Sequence, residues 1–406
     1  MTDTANRANT TSTVPVPFLR LAFRPLFWLG ALFSVVAVAL WSLHIALGMP
    51  LTPYGGSYFW HTHEMLFGFV AAIMAGFLLT AVQNWTGVRS LNGKPLAALV
   101  LIWLLGRVVM LAPVAMPQAL AIAIDLLFLP LAALWLTRPI IKTKQWHNIQ
   151  FVPILLLMAV LNGLSHLSLL QPASSNLLNS GFVGIAHSMI LLVALVMVIM
   201  GGRVFPMFTA NGTGTPRVAP LPWLERLAIA SILASVVVSL LPADTWAALQ
   251  GTLFLLAGLS NIARALRWRP QVTLRVPLVW SLHLSYLAMC LGLILLGLVA
   301  FGILQQASIA YHAITVGGMG LMILSMISRV SLGHSGRPIV ANRAVTLSLL
   351  LMAAAFITRV TGPLLATHYE WVILLTGALW VAAYGLFTIT YSRLLFSARA
   401  DGVTHS

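Results

Sequence analysis

Twelve apolar segments, each long enough to cross a bilayer core of ~30 Å, follow one another along this chain with only short connections. They fall at roughly 26–48, 58–82, 95–116, 118–137, 149–170, 181–201, 224–242, 245–266, 277–300, 306–328, 344–366 and 370–395. Inside a bilayer the backbone must satisfy its own hydrogen bonds, so segments of this length are helices. The expected fold is therefore an all-α polytopic membrane protein with twelve transmembrane helices. Charged residues make up 7% of the chain, where a soluble domain carries about 25%, and a soluble fold is excluded. The net charge of +15 does not point to a nucleic-acid partner, because the bases sit in the short loops.

Those loops also set the orientation. The connections after odd-numbered segments (49–57, around 117, 171–180, 243–244, 301–305 and 367–369) hold no Lys or Arg, whereas those after even-numbered segments hold Arg89, Lys94, Arg138, Lys142, Lys144, Arg203, Arg217, Arg264, Arg267, Arg269, Arg275, Arg329, Arg337 and Arg343. By the positive-inside rule both termini are expected in the cytoplasm. The expected organisation is a cytoplasmic tail at 1–25, a single membrane domain at 26–396 and a short tail at 397–406. Residues 1–18 lack the pattern of a cleaved signal peptide.

The densest polar chemistry lies in Tyr58–Gly87, which opens YFWHTHE and closes QNWTG. Ionisable groups inside a bilayer are costly, so His61, His63 and Glu64 mark a functional site. On a regular helix His61 and His63 diverge by about 200°, while Glu64 falls within roughly 60° of His61. The two histidines are thus expected to serve two different centres, or one centre and one buried hydrogen bond, with Glu64 beside His61 as a proton donor or supporting partner.

This stretch recurs. HSMILLVALVMVIMGGRVFPMFTANG begins at His187 and HAITVGGMGLMILSMISRVSLGHSGRP at His312, and Gly87, Asn211 and Gly336 lie equally far beyond His63, His187 and His312. Three quasi-equivalent four-helix repeats, roughly 26–137, 149–266 and 277–395, account for the pattern. His44 and His166 precede their unit's histidine on the neighbouring helix. Arg107 and Arg359 follow at similar spacing, each ahead of a proline, Pro113 and Pro363. With Asp125 these residues lie in the outer half of the bundle, which implies a shared polar interior.

Neutral imidazole is the commonest metal ligand, and bundles position axial haem ligands well. A lone intramembrane histidine is explained by a helix–helix hydrogen bond, but His63, His187 and His312 at matched depth point to ligation. His44, His61 and His166 are further candidate metal ligands. Arg107 and Arg359 suit haem propionates, or else pair with Asp125 and Glu64. His283, His334 and His405 read as structural, loop or tail residues. The single cysteine, Cys290, excludes covalent CxxCH haem attachment and thiolate clusters. The methionines read as packing, because no Met-rich motif supports a thioether copper site. Trp60, Trp85 and Trp223 are expected as interface anchors, and the glycines of TVGGMGLM as close helix contacts.

FRPLFWLGALF (Phe23–Phe33), the Tyr58–Gly87 stretch, Gly106–Arg107 and the blocks headed by His187 and His312 together resemble the NnrS family of bacterial membrane proteins. The resemblance implies an inner-membrane protein carrying non-covalent, b-type haem and copper, associated with denitrification and the response to nitric oxide and nitrosative stress. A fainter architectural similarity is to the catalytic subunit of haem-copper oxidases and nitric oxide reductases. That family, however, places ligands on span 7, which has no histidine here. The expected function is nitric oxide binding at a histidine-ligated cofactor, with Glu64 as the catalytic candidate. A transporter or metal-handling protein and a reductase-like oxidoreductase are the other classes. No domain for an electron donor is visible.

The topology reading predicts that reporter fusions at Ser406 and within 171–180 report opposite sides, with Ser406 cytoplasmic. A periplasmic signal from Ser406 would invert every depth assigned above.

Overall fold

The computed structural model describes residues 16–112, 116–170, 181–241 and 243–402. Among them the chain is helical with no strand. Twelve helices follow the apolar segments closely: α1 Phe23–Leu47, α2 Ser57–Thr86, α3 Gly93–Leu111, α4 Gln118–Lys142, α5 Phe151–Leu170, α6 Gly181–Thr213, α7 Pro222–Val238, α8 Ala243–Arg267, α9 Pro277–Ala300, α10 Ala307–His334, α11 Arg343–Leu365 and α12 Tyr369–Phe396. Eleven are long and apolar enough to cross a membrane. The exception is α7, whose 17 residues reach only about 26 Å at 1.5 Å each. The expected span 181–201 runs on to Thr213, since nothing in GRVFPMFTANGT stops it before Gly214 at φ 68°.

The ends of the other helices have local causes. Gly48, Gly87 and Gly336 adopt φ of 67°, 68° and 71°, a region glycine enters without a Cβ clash. Asn342 caps α11 by accepting the Val345 amide proton at 2.9 Å.

Consecutive helices pack side by side, and α12 packs back on α1, closing the arrangement into a ring. The second helix of each expected four-helix unit lies innermost. The apolar stretches of α2, α6 and α10 are 89%, 67% and 78% buried, against at most 61% for any other helix. At the junction of first and last helices Phe18 stacks on Phe396 with ring centroids 4.1 Å apart. Arg24 donates to the carbonyls of Leu395 (2.9 Å) and Ser397 (2.5 Å).

Two of the inner helices share an irregularity that the sequence reading did not anticipate. Glu64–Val70 in α2 and Ala313–Gly320 in α10 are wound as π-helix, and each begins immediately after the aligned histidine, His63 or His312. In α6 the helix runs regularly past His187. π-Turns shift the phase of every later side chain and concentrate at functional sites.

The glycine run in α10 is a packing surface, as expected. A Cβ on Gly317 would stand 2.3 Å from the Phe356 ring, and one on Gly320 2.6 Å from Trp380. Trp60 departs from expectation: it is 1% exposed and packs with Tyr54, Phe59 and Met110, because its turn faces the bundle interior. Trp85 stacks on Phe151, and Trp223 is exposed. Residue Pro113, the 171–180 loop, His405 and Ser406 lie outside the described residues.

Gly320→Val should lower the stability of the purified protein by about 1–3 kcal/mol, the usual cost of overpacking. Gly385→Ala, with nothing within 4 Å of the added carbon, should have no such effect. Thermal unfolding in detergent measures both.

Candidate haem and metal centres

His61 and His63 point into separate surroundings, and two polar centres result. The first is a closed network shared by α2, α3, α4 and α5. His63, Glu64, Arg107, Asp125, Asn162 and His166 are each at most 6% exposed, so every charge must find its partner inside the protein. Arg107 from α3 donates through Nη1 to Glu64 Oε1 at 2.6 Å and through Nη2 to Asp125 Oδ1. It can come this close because Gly68 stands opposite: a Cβ there would lie 2.6 Å from Nη1. Asn162 from α5 donates to Asp125 Oδ2 at 2.7 Å and accepts from His63 Nε2 at 2.8 Å. His63 Nδ1 lies 2.9 Å from Glu64 Oε1. Both ring nitrogens of His63 thus face acceptors, the pattern of an imidazolium. With that proton the two carboxylates balance one guanidinium and one imidazolium. His166 Nε2 contacts Asp125 Oδ2 at 3.1 Å, and its Nδ1 lies 3.3 Å from Tyr54 Oη.

Within this network one donor atom each from His63, Asp125 and His166 lie within 4.8 Å of one another. Two imidazole nitrogens and a carboxylate oxygen suit copper, zinc or iron by type. A metal there would replace the proton on His63 and the contacts that now join these groups.

The second centre joins the first unit to the third. His61 of α2 stacks on Trp41 of α1, centroids 4.4 Å apart and planes 11° from parallel. It lies within direct electrostatic reach of Arg359 from α11 and His312 from α10. His312 Nδ1 donates to the Ser308 carbonyl at 2.7 Å. This fixes the tautomer and leaves Nε2 as the free electron pair, the arrangement that ligating histidines use. Nε2 meets Arg359 Nη2 at 3.3 Å. Among the described residues, His61 Nδ1 and Arg359 Nη1 are buried without a hydrogen-bond partner, and such atoms in a native interior call for an explanation. Next to His312 on the chain, Tyr311 stacks face to face with His187 of α6, centroids 3.6 Å apart.

The structure corrects several assignments. Glu64 pairs with His63 and Arg107, not with His61, because its carboxyl turns to the Arg107 guanidinium of α3. Of the two readings of Arg107, the ion pair with Asp125 and Glu64 is the one found: both of its terminal nitrogens are taken by these carboxylates. Arg359 keeps one nitrogen available. His44 donates to the Met49 carbonyl at 2.7 Å, a local contact at the end of α1, and its ring touches the second centre only at the edge, 6.5 Å from that of Trp41. His63 and His312, grouped by depth, belong to different centres, and His187 reaches the second only through Tyr311. His283 bonds Thr209 at 2.8 Å and His334 packs on Phe23, as structural residues do. Asp125, Asn162 and Tyr54 are central here but were not among the expected ligands. Asp125 alone left a signal, as an acid in an apolar segment.

The two histidine-headed π-turns, their glycines and the paired arginines sit on sequence blocks that are matched beyond this chain. The sequence profile of the family described as NnrS protein matches residues 17–399. The chain belongs to the NnrS family. No curated protein matches it. The match spans all twelve helices, so both centres lie within the family's shared region. Eleven membrane-length helices make this NnrS-family chain a multi-pass membrane protein.

Removing one member of a buried charge network strands the others, at a typical cost of about 3–5 kcal/mol. Arg107→Met should therefore destabilise the protein strongly. Glu64→Gln keeps an acceptor oxygen for Arg107 and should cost no more than about half as much. Comparable unfolding midpoints for the two variants would contradict the pairing described.

Proposed function

We propose that this NnrS-family protein resides in the bacterial inner membrane, spans it twelve times with both termini inside, and serves the nitric oxide response as a haem- and copper-binding protein. The observation that carries the reading is the pair His61 and His312. They come from two innermost helices; His61 Nδ1 has no partner among the described residues, His312 Nε2 is an electron pair met by Arg359 alone, and Arg359 lies beside them with Nη1 unpartnered among the described residues. His61 and His312 would hold a b-type haem, and Arg359 would pair with one of its propionates. Bound there, haem would supply an iron able to take nitric oxide in exchange for one of the two imidazoles. The chain's own residues do the rest: Ser308 orients His312 through Nδ1, Trp41 holds the His61 ring in plane, and Arg359 neutralises an acidic group.

The first centre is the copper candidate, with His63, Asp125 and His166 as ligands and Asn162 and Tyr54 orienting them. Glu64, bonded to His63, is the nearest carboxyl able to give or take a proton as that imidazole changes its charge. His187, stacked on Tyr311, supports the haem side. This assignment places the two cofactors on either side of the His61–His63 turn of one helix.

The purified protein should show a haem absorption spectrum that shifts when nitric oxide is added to the reduced form. His61→Ala and His312→Ala should each lose at least half of the bound haem, while His283→Ala keeps it. His166→Ala should lower copper content without lowering haem. Full haem content in both the His61 and His312 variants would reject the axial assignment, and an unchanged spectrum under nitric oxide would reject direct binding.

A further inference from the structure

Below the two π-turns, between α2, α6 and α10 and beside Phe27 of α1, lies a partly open cavity of about 100 Å³. Its walls are apolar throughout, and methionine is conspicuous among them: Met74 from α2, Met197 and Met200 from α6, and Met319, Met322 and Met326 from α10. Six of the chain's 16 methionines thus converge on one space, although no sequence motif gathers them.

The lining is also matched between the first and third units. Val70 and Met319 stand at the same distance along the chain from His63 and His312, and so do Ile73 and Met322, and Phe77 and Met326. Val70 is the last residue of the first π-turn and Met319 lies within the second. The cavity therefore begins where the widened turns end, and runs about 10–22 Å along the helices from the histidines at 1.5 Å per residue.

What can occupy it follows from its walls. Water needs two to four polar partners to enter a buried space, and a wholly apolar cavity of about 150 Å³ is known to stay dry and take up benzene or xenon. A soft monovalent metal could use the thioethers. However, no acidic side chain lines the cavity to offset the charge, and desolvating an ion costs tens of kcal/mol before any bond to sulfur forms. A small neutral molecule meets no such cost and gains dispersion contacts with polarisable sulfur. Methionine's flexible chain also lets the wall part and close, which branched residues resist.

We propose that this methionine-lined cavity is a binding site for a small neutral gas molecule, held on the three-helix axis below the histidine centres. That the gas is nitric oxide rests on the function proposed above; that the site takes a gas does not.

Crystals of the full-length protein pressurised with xenon test the site directly. Xenon density is expected between Met197 and Met322, and Met197→Phe should abolish it by filling the space while retaining wild-type haem content. Should that variant fail to fold, Met74→Phe removes the same space from the opposite wall. No xenon in the wild-type cavity, or equal density in the filled variant, overturns the proposal. So does stoichiometric retention of silver(I) by the wild type that is lost on replacing Met319 and Met322 by Leu, which would make the site a soft-metal one. A protein without haem that still takes up xenon would sink the haem reading and leave this one standing.

Discussion

Arg107 holds the first half of this molecule together. Its guanidinium spans a carboxylate on α2 and another on α4, and through Asp125 and Asn162 the same network reaches α5. In a low-dielectric interior none of these charges could remain unpaired, so the positions of four helices are linked by a single requirement of neutrality. Apolar packing between lipid-embedded helices gives little directional preference, since lipid tails compete equally well. The network supplies the direction. It fixes the rotation of α2 about its axis, and with it the opposite outlook of His61, which leaves that ring facing α10 and α11.

The fold was legible in the sequence because the bilayer leaves so few options. Segment lengths alone placed the helices to within a few residues for most of the chain, and failed mainly at Thr213, where a long helix passes its expected end. Two features escaped. The π-turns have no compositional signature, since their residues, EMLFGFV and AITVGGMG, read as ordinary apolar helix. The short α7 reads as a span by its content and falls short only by its length.

The site was legible in part. The 200° divergence of His61 and His63 correctly separated two centres, because both residues precede the π-turn and follow regular helical phase. The same argument set Glu64 beside His61, but its carboxyl turns to the Arg107 guanidinium of α3, a partner that helical phase does not reveal. Depth along the helix suggested grouping His63, His187 and His312, but depth carries no information about which face of the ring a side chain adopts. That comes from packing of helices distant in sequence. Asn162 and Tyr54 gave no signal because an amide and a phenol in apolar surroundings are common, and only their hydrogen-bond partners reveal their use.

The two centres differ in how much of the chain each requires. The first is assembled from residues between Tyr54 and His166, so a nascent chain carrying only its first five helices already contains every group in it. The second needs Trp41 and His61 from the beginning together with His312 and Arg359 near the end, and the ring that encloses it closes only when Phe396 reaches Phe18. During biosynthesis the first centre can therefore form while the ribosome is still at work. The second remains open on one side until the last helix is inserted.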